Sequence, residues 1–362
     1  MASTNAIVAQ GLVRHFGKVE AVRGIDLKVE KGEIYGFLGP NGAGKSTVVR
    51  MLITLLMPTK GHAEVAGFDV VKHPREVLLR IGAALQEAAL DNKQTGRELL
   101  RLQGRLFGMS VKDVDRRLVD LAKLVDIGDA LDRLIGTYSG GMKRRLDLAA
   151  ALIHNPEVLF LDEPTTGLDP ISRNRVWEEV RRINRDLGVT IFLTTQYLEE
   201  ADILCDRLGI INNGLLAAEG TPVELKRSIG SDLIIAEVEG DAAATQRAVE
   251  KVRAVKPIEK VESHENEITV SASNGAAAIS SVALALNDAG VRVRTLTLRT
   301  PTLDDVFLQV TGGRLQRDAP VTKEESKPES KDGKKKDGKQ RDGKNDIRNS
   351  DTGASTTFGP AW

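Results

Sequence analysis

The sequence predicts an α/β fold with an inserted helical subdomain, followed by a small α+β C-terminal domain and a disordered charged tail. Short apolar runs alternate with segments of helical periodicity over residues 1–230, which is typical of a parallel sheet flanked by helices. Two amphipathic segments interrupt this alternation, so we place the helical subdomain at about 88–153. Composition changes near Gly313. The predicted domains are therefore 1–230, 231–312 and 313–362.

Short apolar runs in the first domain are predicted to form its strands. They are bounded by glycine or charged residues, and they comprise Ile7–Val13, Ile25–Val29, Ile34–Leu38, Val158–Leu161, Val189–Leu193 and Leu208–Ile211. The run Val158–Leu161 has no polar interruption, which is typical of a strand buried on both faces. Asn212-Asn213-Gly214 predicts a tight hairpin, because these residue types tolerate the positive φ that such turns need.

Capping patterns predict where the helices begin. Thr95 and Glu98 form a capping box before one apolar helical face, and Ser110 opens a second amphipathic helix that would stop at Gly128. Thr221 precedes a proline at the first position of a later helix, where the missing N–H is not needed.

The last two regions differ sharply in character. Residues 231–312 predict the order strand, helix, strand, strand, helix, strand and short helix, without a chemical motif. The tail repeats a Lys-Asp-Gly-Lys pattern and has few apolar residues, so it cannot bury enough surface to offset its ordering entropy. Its lysines could tether it to an anionic lipid surface. The interleaved aspartates cancel most of that charge and favour a solvated tail.

Composition argues against several broad classes of protein. The 362 residues include 51 basic and 51 acidic side chains, so no general attraction to nucleic acid is indicated. Cys205 is the only cysteine, which excludes an intrachain disulfide, and its apolar neighbours predict a buried thiol. No run approaches the roughly 20 apolar residues of a membrane-spanning helix, and the first residues lack signal-peptide features. We expect a cytoplasmic chain that reaches a membrane only through a partner.

The most informative segment is Gly39–Ser46, with the sequence GPNGAGKS. This spacing is typical of a phosphate-binding loop, because its glycines let backbone N–H groups turn toward phosphate oxygens. Lys45 would reach the outer phosphates and Ser46 would ligate Mg²⁺. An apolar run precedes the loop and a helical pattern follows it, so the positive end of a helix would face the nucleotide.

Two further segments carry chemistry. Asp162 and Glu163 end an apolar strand, so they would face the crevice where ligands bind in open α/β sheets. The first would orient the Mg²⁺ shell, and the second is free to polarise the attacking water. Ser139 and the two glycines after it predict another anion-binding helix N-terminus, although one chain needs only one for a γ-phosphate. We expect Arg144 and Arg145, on the same helix, to be solvated or interfacial.

With these motifs the chain resembles the nucleotide-binding subunit of an ATP-binding cassette (ABC) transporter, and it is most similar to the daunorubicin/doxorubicin-resistance ATP-binding proteins. The resemblance covers Ile7 to about Gly230 and rests on GPNGAGKST at 39–47, Gln86, YSGGM at 138–142, FLDEPTTGLDP at 160–170 and TTQYLEEAD at 194–202. LRTPTLDDVFL at 298–308 resembles the C-terminal region of that group. The resemblance implies a P-loop ABC ATPase core, with ATP and Mg²⁺ as its ligands.

The resemblance also implies a role for each matching residue. The nucleotide would be bound by Phe16, Gly39, Pro40, Asn41, Gly42, Ala43, Gly44, Lys45, Ser46, Thr47, Gln86, Ser139, Gly140, Gly141 and Asp169. The metal would be held by Ser46, Gln86 and Asp162. Glu163 and Gln196 would be the catalytic residues, with Glu163 as general base. Phe16 would stack on adenine, and a purely structural phenylalanine is the alternative.

Two residues depart from the family pattern. Met142 replaces the glutamine that usually ends the signature segment Tyr138–Met142, although both glycines remain. Gln196 stands where most ABC ATPases have a switch histidine, and the daunorubicin/doxorubicin-resistance group has the same glutamine. An amide donates a hydrogen bond to phosphate but cannot carry a proton. We therefore expect the chemistry to rest on Glu163, with Gln196 as sensor and positioner.

The function that the resemblance implies is ATP-driven efflux of drug-like hydrophobic compounds or antibiotics through a separate membrane permease. Two copies would form a head-to-tail dimer, in which each signature segment completes the other copy's site, peripheral to the inner face of the membrane. The alternatives are an ABC transporter ATPase for a lipid or other endogenous substrate, and a non-transport ABC ATPase. The motifs do not encode the transported compound or the permease.

Overall fold

The chain is described here from a computed structural model over residues 4–85, 90–239, 242–256, 258–264 and 266–312. Fourteen strands in three sheets and eleven α-helices occur in these ranges. None of the helices found there combines the length and apolarity needed to cross a membrane. Gln86 and the predicted tail lie outside the described residues.

The elements alternate between strands and helices over most of the chain, which confirms the predicted fold class. The strands are β1 (Asn5–Phe16), β2 (Val19–Glu30), β3 (Ile34–Leu38), β4 (Lys60–Val65), β5 (Phe68–Asp69), β6 (Ile81–Ala84), β7 (Val158–Asp162), β8 (Thr190–Thr195), β9 (Arg207–Asn212), β10 (Leu215–Gly220), β11 (Asp232–Glu239), β12 (Ile258–His264), β13 (Glu267–Ala272) and β14 (Arg292–Arg299). The helices are α1 (Lys45–Leu52), α2 (Pro74–Leu78), α3 (Gly96–Leu106), α4 (Val111–Leu124), α5 (Gly140–Leu152), α6 (Pro170–Leu187), α7 (Leu198–Leu204), α8 (Pro222–Ile229), α9 (Ala242–Arg253), α10 (Gly275–Asp288) and α11 (Leu303–Thr311).

The central sheet brings three functional strand ends together. Its strand order is β10-β9-β3-β8-β7-β6, and β3, β6, β7, β8 and β9 pair in parallel. Every residue of β3 and β7 is buried, as their unbroken apolar sequences predict. Because β3, β8 and β7 are neighbours and parallel, their carboxyl ends lie side by side at one edge. This is the edge where open α/β sheets bind ligands.

Apolar cores pack against both faces of this sheet. One core joins it to α1 and to the antiparallel sheet β2-β1-β4-β5, and it contains Tyr35, Phe37, Phe160 and Phe192. The Phe192 ring lies 5.6 to 5.7 Å from the other three ring centroids. Burying each phenylalanine contributes roughly 2 kcal/mol to folding. The strands that end at the site are therefore anchored by their own side chains.

The second core joins the sheet to the inserted helices α3, α4 and α5. The capping box of Thr95 and Glu98 is present, and the Ser110 hydroxyl accepts a hydrogen bond from the N–H of Asp113, so both predicted helix starts are confirmed. Helix α4 ends at Leu124, earlier than the predicted stop, because the chain turns into the 3-10 segment Gly128–Ala130 instead.

The region after α8 follows the predicted order of elements, with an antiparallel sheet of order β12-β13-β11-β14 and two helices, α9 and α10. Its core runs from Ile234 to Val291. The last helix, α11, leaves this core: Leu303, Val306 and Phe307 are buried in the second core of the ATPase part. The chain thus returns to the domain that it left at α8.

A buried carboxyl group on α6 makes stability depend on pH. The Glu179 side chain is 5% exposed and its nearest cation, the guanidinium Nε of Arg145, lies 3.9 Å away. Burial raises the pKa of Glu179 from 4.5 to about 8. The native state therefore keeps a proton that the unfolded state releases, so this contribution to stability is present below about pH 4.5 and is lost as pH rises toward 8.

We expect Glu179→Gln to stabilise the protein increasingly as pH rises, because the amide has no proton to lose. The gain in free energy of unfolding should be small near pH 5 and reach up to about 4 kcal/mol near pH 7.5. Urea unfolding of the variant and the wild type at pH 5 and pH 7.5 measures this difference in free energy of unfolding. Glu178→Gln, at the exposed neighbouring position, is the matched control. A gain that is equal at both pH values would contradict the buried neutral carboxyl.

Candidate active site

The phosphate-binding loop connects β3 to α1, as the strand–loop–helix pattern predicts. Gly44, directly before α1, has a φ of +111°, and a Cβ there would lie 2.6 Å from the carbonyl oxygen of Ala21. A Cβ at Gly39 would lie 2.5 Å from the carbonyl oxygen of Ile211. Both glycines are required because the loop passes close to neighbouring backbone. The N-terminus of α1 then points into the loop, where anions are favoured.

Lys45 is buried and folded back onto its own loop. Its Nζ donates to the carbonyl oxygens of Gly39 at 2.8 Å and Pro40 at 3.3 Å, and it lies 3.6 Å from Glu163 Oε1. Burial lowers the pKa of Lys45, and the carboxylates of Glu163 and Asp162 oppose that shift. The ammonium group therefore lies between the loop carbonyls and the Glu163 carboxylate.

The side-chain oxygen atoms of Asp162 and Ser46 lie close together beside the phosphate-binding loop. Ser46 Oγ lies 3.5 Å from Asp162 Oδ1, and that carboxylate also accepts a short hydrogen bond from the hydroxyl of Thr194. A hydroxyl and a carboxylate at this separation suit a hard cation such as Mg²⁺. No cluster of three or more His, Cys, Asp or Glu side chains within the described ranges would hold a metal.

Glu163 has an unusual backbone conformation that aims its side chain at the loop. Its φ is +49°, in the left-handed region that non-glycine residues rarely adopt. Its N–H donates to both the carbonyl oxygen and the hydroxyl of Thr194, each at 3.1 Å. Thr166 donates from its hydroxyl to Glu163 Oε2 at 3.2 Å. The carboxylate is only 10% exposed, so its contacts within the site determine its orientation.

The structure gathers the phosphate-loop residues, Glu163 and Gln196 around one cavity. This nucleotide cavity has a volume of about 400 Å³ and is lined by Ala21, Asn41, Gly42, Gly44, Lys45, Ser46, Thr47, Glu163, Thr166 and Gln196. Asp162 reaches it through Ser46. Gln196 follows β8, the strand that lies between β3 and β7 in the central sheet. Strand order therefore brings the three segments together, although they lie far apart in the sequence.

Other sequence-predicted residues lie elsewhere. Ser139 accepts a hydrogen bond from the N–H of Met142 and caps α5, as predicted, and neither it nor Gly140 and Gly141 lines the cavity. Asp169 caps α6 by accepting from Ser172 N at 3.0 Å. The segment Tyr138–Met142 thus exposes an anion-binding helix end that its own chain's cavity does not use.

The ring that was predicted to stack on adenine is exposed rather than packed. Phe16 ends β1, is 46% exposed, and does not line the cavity. One ring face is covered by the guanidinium of Arg14, whose central carbon lies 4.7 Å from the ring centroid. This exposure argues against the structural alternative for Phe16, because a core phenylalanine would be buried.

Arg144 is buried and Arg145 is half-buried, so the expectation of a solvated side chain is wrong for Arg144. Arg144 is 9% exposed and bonds across to the strands of the central sheet, while Arg145 bonds to the carbonyl and carboxylate of Asp126. Burial lowers the pKa of Arg144, and nearby carboxylates, chiefly Asp147, oppose that shift. The sequence favoured exposure because long charged side chains usually lie at the surface.

Sequence reasoning missed several residues that hold the site. Thr194 supports both Asp162 and Glu163, and Thr166 holds the Glu163 carboxylate. Glu200 is fully buried and accepts from the Thr165 hydroxyl and the Trp177 ring N–H. Thr194 could have been predicted from its position. It is a hydroxyl residue near the carboxyl end of a buried strand next to β7, and the carboxyl ends of such strands form the edge where ligands bind.

Comparisons with known proteins agree with this geometry. The family described as ABC transporter matches residues 22–166, and the C-terminal domain family of DrrA1-3-like ATP-binding proteins matches residues 220–311. The chain is 46% identical over 312 residues to the daunorubicin resistance ATP-binding protein DrrA2 of Streptomyces coeruleorubidus, covering 86% of this chain and 96% of that protein. It is 36% identical over 311 residues to the linearmycin resistance ATP-binding protein LnrL of Bacillus subtilis, covering 85% and 99%.

A solved structure of an ATP-binding subunit of an ABC transporter is also similar. It has 27% sequence identity and a TM-score of 0.56, and the match covers 62% of this chain and 93% of that chain. The family predicted from the motifs is therefore confirmed over nearly the full length of its relatives. The chain belongs to the ATP-binding subunits of ABC transporters, in the daunorubicin/doxorubicin-resistance family of ATP-binding proteins, and is an ATPase.

Proposed function

We propose that this chain hydrolyses ATP to drive export of drug-like hydrophobic compounds or antibiotics through a separate membrane permease. The observation that carries the proposal is the nucleotide cavity, where Lys45, Ser46, Glu163 and Gln196 meet. The names of the relatives support the substrate class, since DrrA2 and LnrL are resistance proteins for daunorubicin and linearmycin. We further propose domain limits of 1–230 and 231–312, with 313–362 as a tail.

The nucleotide would lie with its phosphates against the loop Gly39–Thr47 and its adenine on Phe16. Ser46 and Asp162 have the oxygen donors and the spacing to hold Mg²⁺, and Gln86 would be its third protein contact. When bound, the ion neutralises charge on the outer phosphates. The 46% exposure of the Phe16 ring supports its stacking role, because the ring has an open face.

Glu163 would act as the general base. Water would attack the γ-phosphorus as its proton passes to the Glu163 carboxylate, and the bond to the bridging oxygen of ADP would break. Gln196 would donate its amide hydrogen bond to the γ-phosphate and so sense it. The ion pair between Lys45 and Glu163, at 3.6 Å, must open when Lys45 turns to the phosphates. Nucleotide binding would thereby free the base.

A second copy of the chain would complete the site. Helix α5 begins at an exposed N-terminus capped by Ser139, and Asp169 is exposed at the start of α6. Neither lines its own chain's cavity, yet both belong to segments that resemble the family's motifs. A head-to-tail dimer would put each signature segment against the γ-phosphate in the opposite copy, where a helix N-terminus is favourable.

The permease would dock in an apolar groove beside the inserted helices. This groove, of about 440 Å³, is lined by residues that include Leu55, Leu78, Leu85, Gln103, Phe107 and Ala150. Leu55 is 63% exposed and Leu78 is 45% exposed, and both line the same apolar groove, which favours a surface that a partner covers. Leu85 directly precedes Gln86, and the resemblance to ABC transporter subunits implies that Gln86 faces the membrane subunit as well as the metal. A short amphipathic helix of the permease is the occupant that we propose, holding the chain at the inner face of the membrane.

The test is ATPase activity in vesicles that contain the chain and its co-purifying permease, with and without daunorubicin. We expect the drug to raise hydrolysis several-fold and Leu55→Glu to abolish both this rise and co-purification of the permease, because a carboxylate would be desolvated in the groove. The matched control is Leu284→Glu, at a leucine that is 65% exposed on α10.

The outcomes separate the candidate functions. Stimulation by a lipid but not by any hydrophobic drug would favour an endogenous substrate. Co-purification of the permease with Leu55→Glu at wild-type yield would contradict docking in the groove. Hydrolysis that never responds to a membrane partner or a transported compound would favour a non-transport ATPase.

A further inference from the structure

Arg144 has a hydrogen-bond partner for every N–H of its guanidinium group, which carries five. Its acceptors are Pro164 O at 3.0 Å from Nε, Leu85 O at 3.0 Å and Asp147 Oδ2 at 3.1 Å from Nη1, and Ala84 O and Asp162 O at 3.4 Å from Nη2. Four of these acceptors are backbone carbonyls. A buried cation with this many partners holds a fixed position.

The four carbonyl groups that accept from Arg144 lie at or just after the carboxyl ends of two strands that end beside the site. Ala84 and Leu85 lie at the carboxyl end of β6, and Asp162 and Pro164 lie at and just after the end of β7. These strands are parallel neighbours, so Arg144 crosses from α5 to both ends at once. Glu163 lies between Asp162 and Pro164, so Arg144 bonds to the residue on each side of it.

The peptide group that joins Asp162 to Glu163 is held from both sides. Its N–H donates to the carbonyl oxygen and hydroxyl of Thr194, and its C=O accepts from Arg144. Glu163 itself has a φ of +49°, which is unfavourable for a residue with a Cβ. Such a conformation persists only where the surroundings enforce it. Arg144 and Thr194 supply that constraint.

We propose that Arg144 is a positioning residue that holds the Glu163 backbone in its left-handed conformation and ties it to the signature helix α5. Arg144 does not line the nucleotide cavity, so it acts through Glu163 rather than on the phosphates. The N-terminus of α5 would contact the nucleotide bound by the opposite copy. Arg144 would therefore transmit a movement of α5 to the backbone of Glu163. The inference rests on the proposed role of Glu163 as general base.

Lysine cannot replace arginine in this position. An ammonium group has three donors and no planar fork, so it leaves carbonyls of β6 or β7 without a partner. We expect Arg144→Lys to lower kcat for Mg²⁺-ATP at least about tenfold, because small misplacements of a catalytic group are costly. The KM for ATP should change less than about twofold, since the phosphate loop is untouched.

The matched control is Arg145→Lys, the same substitution at the next position of α5. Arg145 bonds to Asp126, just after α4, and lies 3.9 Å from Glu179 on α6, and neither contact is to β6 or β7. We expect its kcat to stay within about twofold of wild type. All rates are measured on the full chain well below each variant's melting midpoint. Arg144→Gln, whose amide retains only two donors, repeats the test if the lysine variant melts without cooperativity.

A double-mutant cycle separates positioning from a general structural role. If Arg144 acts through Glu163, adding Arg144→Lys to Glu163→Gln should produce no further loss in the single-turnover rate. A further loss equal to that of Arg144→Lys alone would overturn the inference, as would a rise in KM without a fall in kcat. Wild-type activity of Arg144→Lys beside an inactive Glu163→Gln would overturn this inference alone. An active Glu163→Gln would instead overturn the proposed role of Glu163.

Discussion

Glu163→Gln is expected to lower kcat for Mg²⁺-ATP by roughly 10²- to 10⁴-fold, the range of a general base, while ATP still binds. The amide keeps the size of the side chain and can still accept from Thr166, whose hydroxyl lies 3.2 Å from Glu163 Oε2. It cannot take a proton from water. It also removes the carboxylate 3.6 Å from Lys45 Nζ, so binding of ATP should be equal or tighter. Steady-state hydrolysis and titration with a fluorescent ATP analogue measure the two effects.

Two comparisons make this result specific. Glu157→Gln, at an exposed position before β7, should hydrolyse ATP at the wild-type rate. Gln196→His should remain active and Gln196→Ala should lose roughly tenfold, because only a phosphate contact is lost. Loss of hydrolysis in Gln196→Ala together with full activity in Glu163→Gln would reverse the roles that we assign.

Ser139→Asp is expected to lower hydrolysis by roughly 10²-fold or more, with ATP binding by each single chain unchanged. Aspartate caps a helix as well as serine does, so α5 should still begin at Gly140. Its negative charge would face the γ-phosphate bound in the opposite copy and repel it. Ser139→Asn is the matched control, since it caps without charge and should retain most activity.

Mixed dimers test whether the site is shared between copies. A dimer of Ser139→Asp with Glu163→Gln has one intact composite site, made from the Glu163 of the first chain and the signature segment of the second. Each mixed dimer keeps one of its two sites and should hydrolyse ATP at about half of the wild-type rate. Random pairing in an equal mixture of the two inactive proteins makes half of the dimers mixed, so we expect the mixture to recover to about a quarter of the wild-type rate. Mixed dimers that form but stay inactive would contradict two composite sites.

The parts of the fold that the sequence predicts are those set by local patterns. The phosphate loop, the capping box at Thr95, the helix that begins after Thr221 and the buried run of β7 all form as expected. Each depends on residues a few positions apart, where spacing alone determines which groups meet. The juxtaposition of the loop with Glu163 and Gln196 was also predictable, because carboxyl ends of parallel strands share one edge.

The parts that escaped prediction depend on contacts between distant segments. Arg144 reaches the carbonyl of Leu85, 59 positions away, and nothing in the spacing of charged residues indicates that it is buried. The left-handed φ of Glu163 requires partners from β8 and α5 together. Helix α11 carries an ordinary apolar pattern, and only tertiary packing decides that it covers the ATPase core.

The proposed export is tested most directly by ATP-dependent accumulation of daunorubicin in inside-out membrane vesicles that contain the chain and its permease. We predict accumulation that requires hydrolysable ATP and disappears in Glu163→Gln, although that variant still assembles with the permease. Accumulation that proceeds unchanged in Glu163→Gln would contradict ATP-driven export by this chain. Vesicles that hydrolyse ATP fully yet never accumulate the drug would contradict daunorubicin as a transported compound.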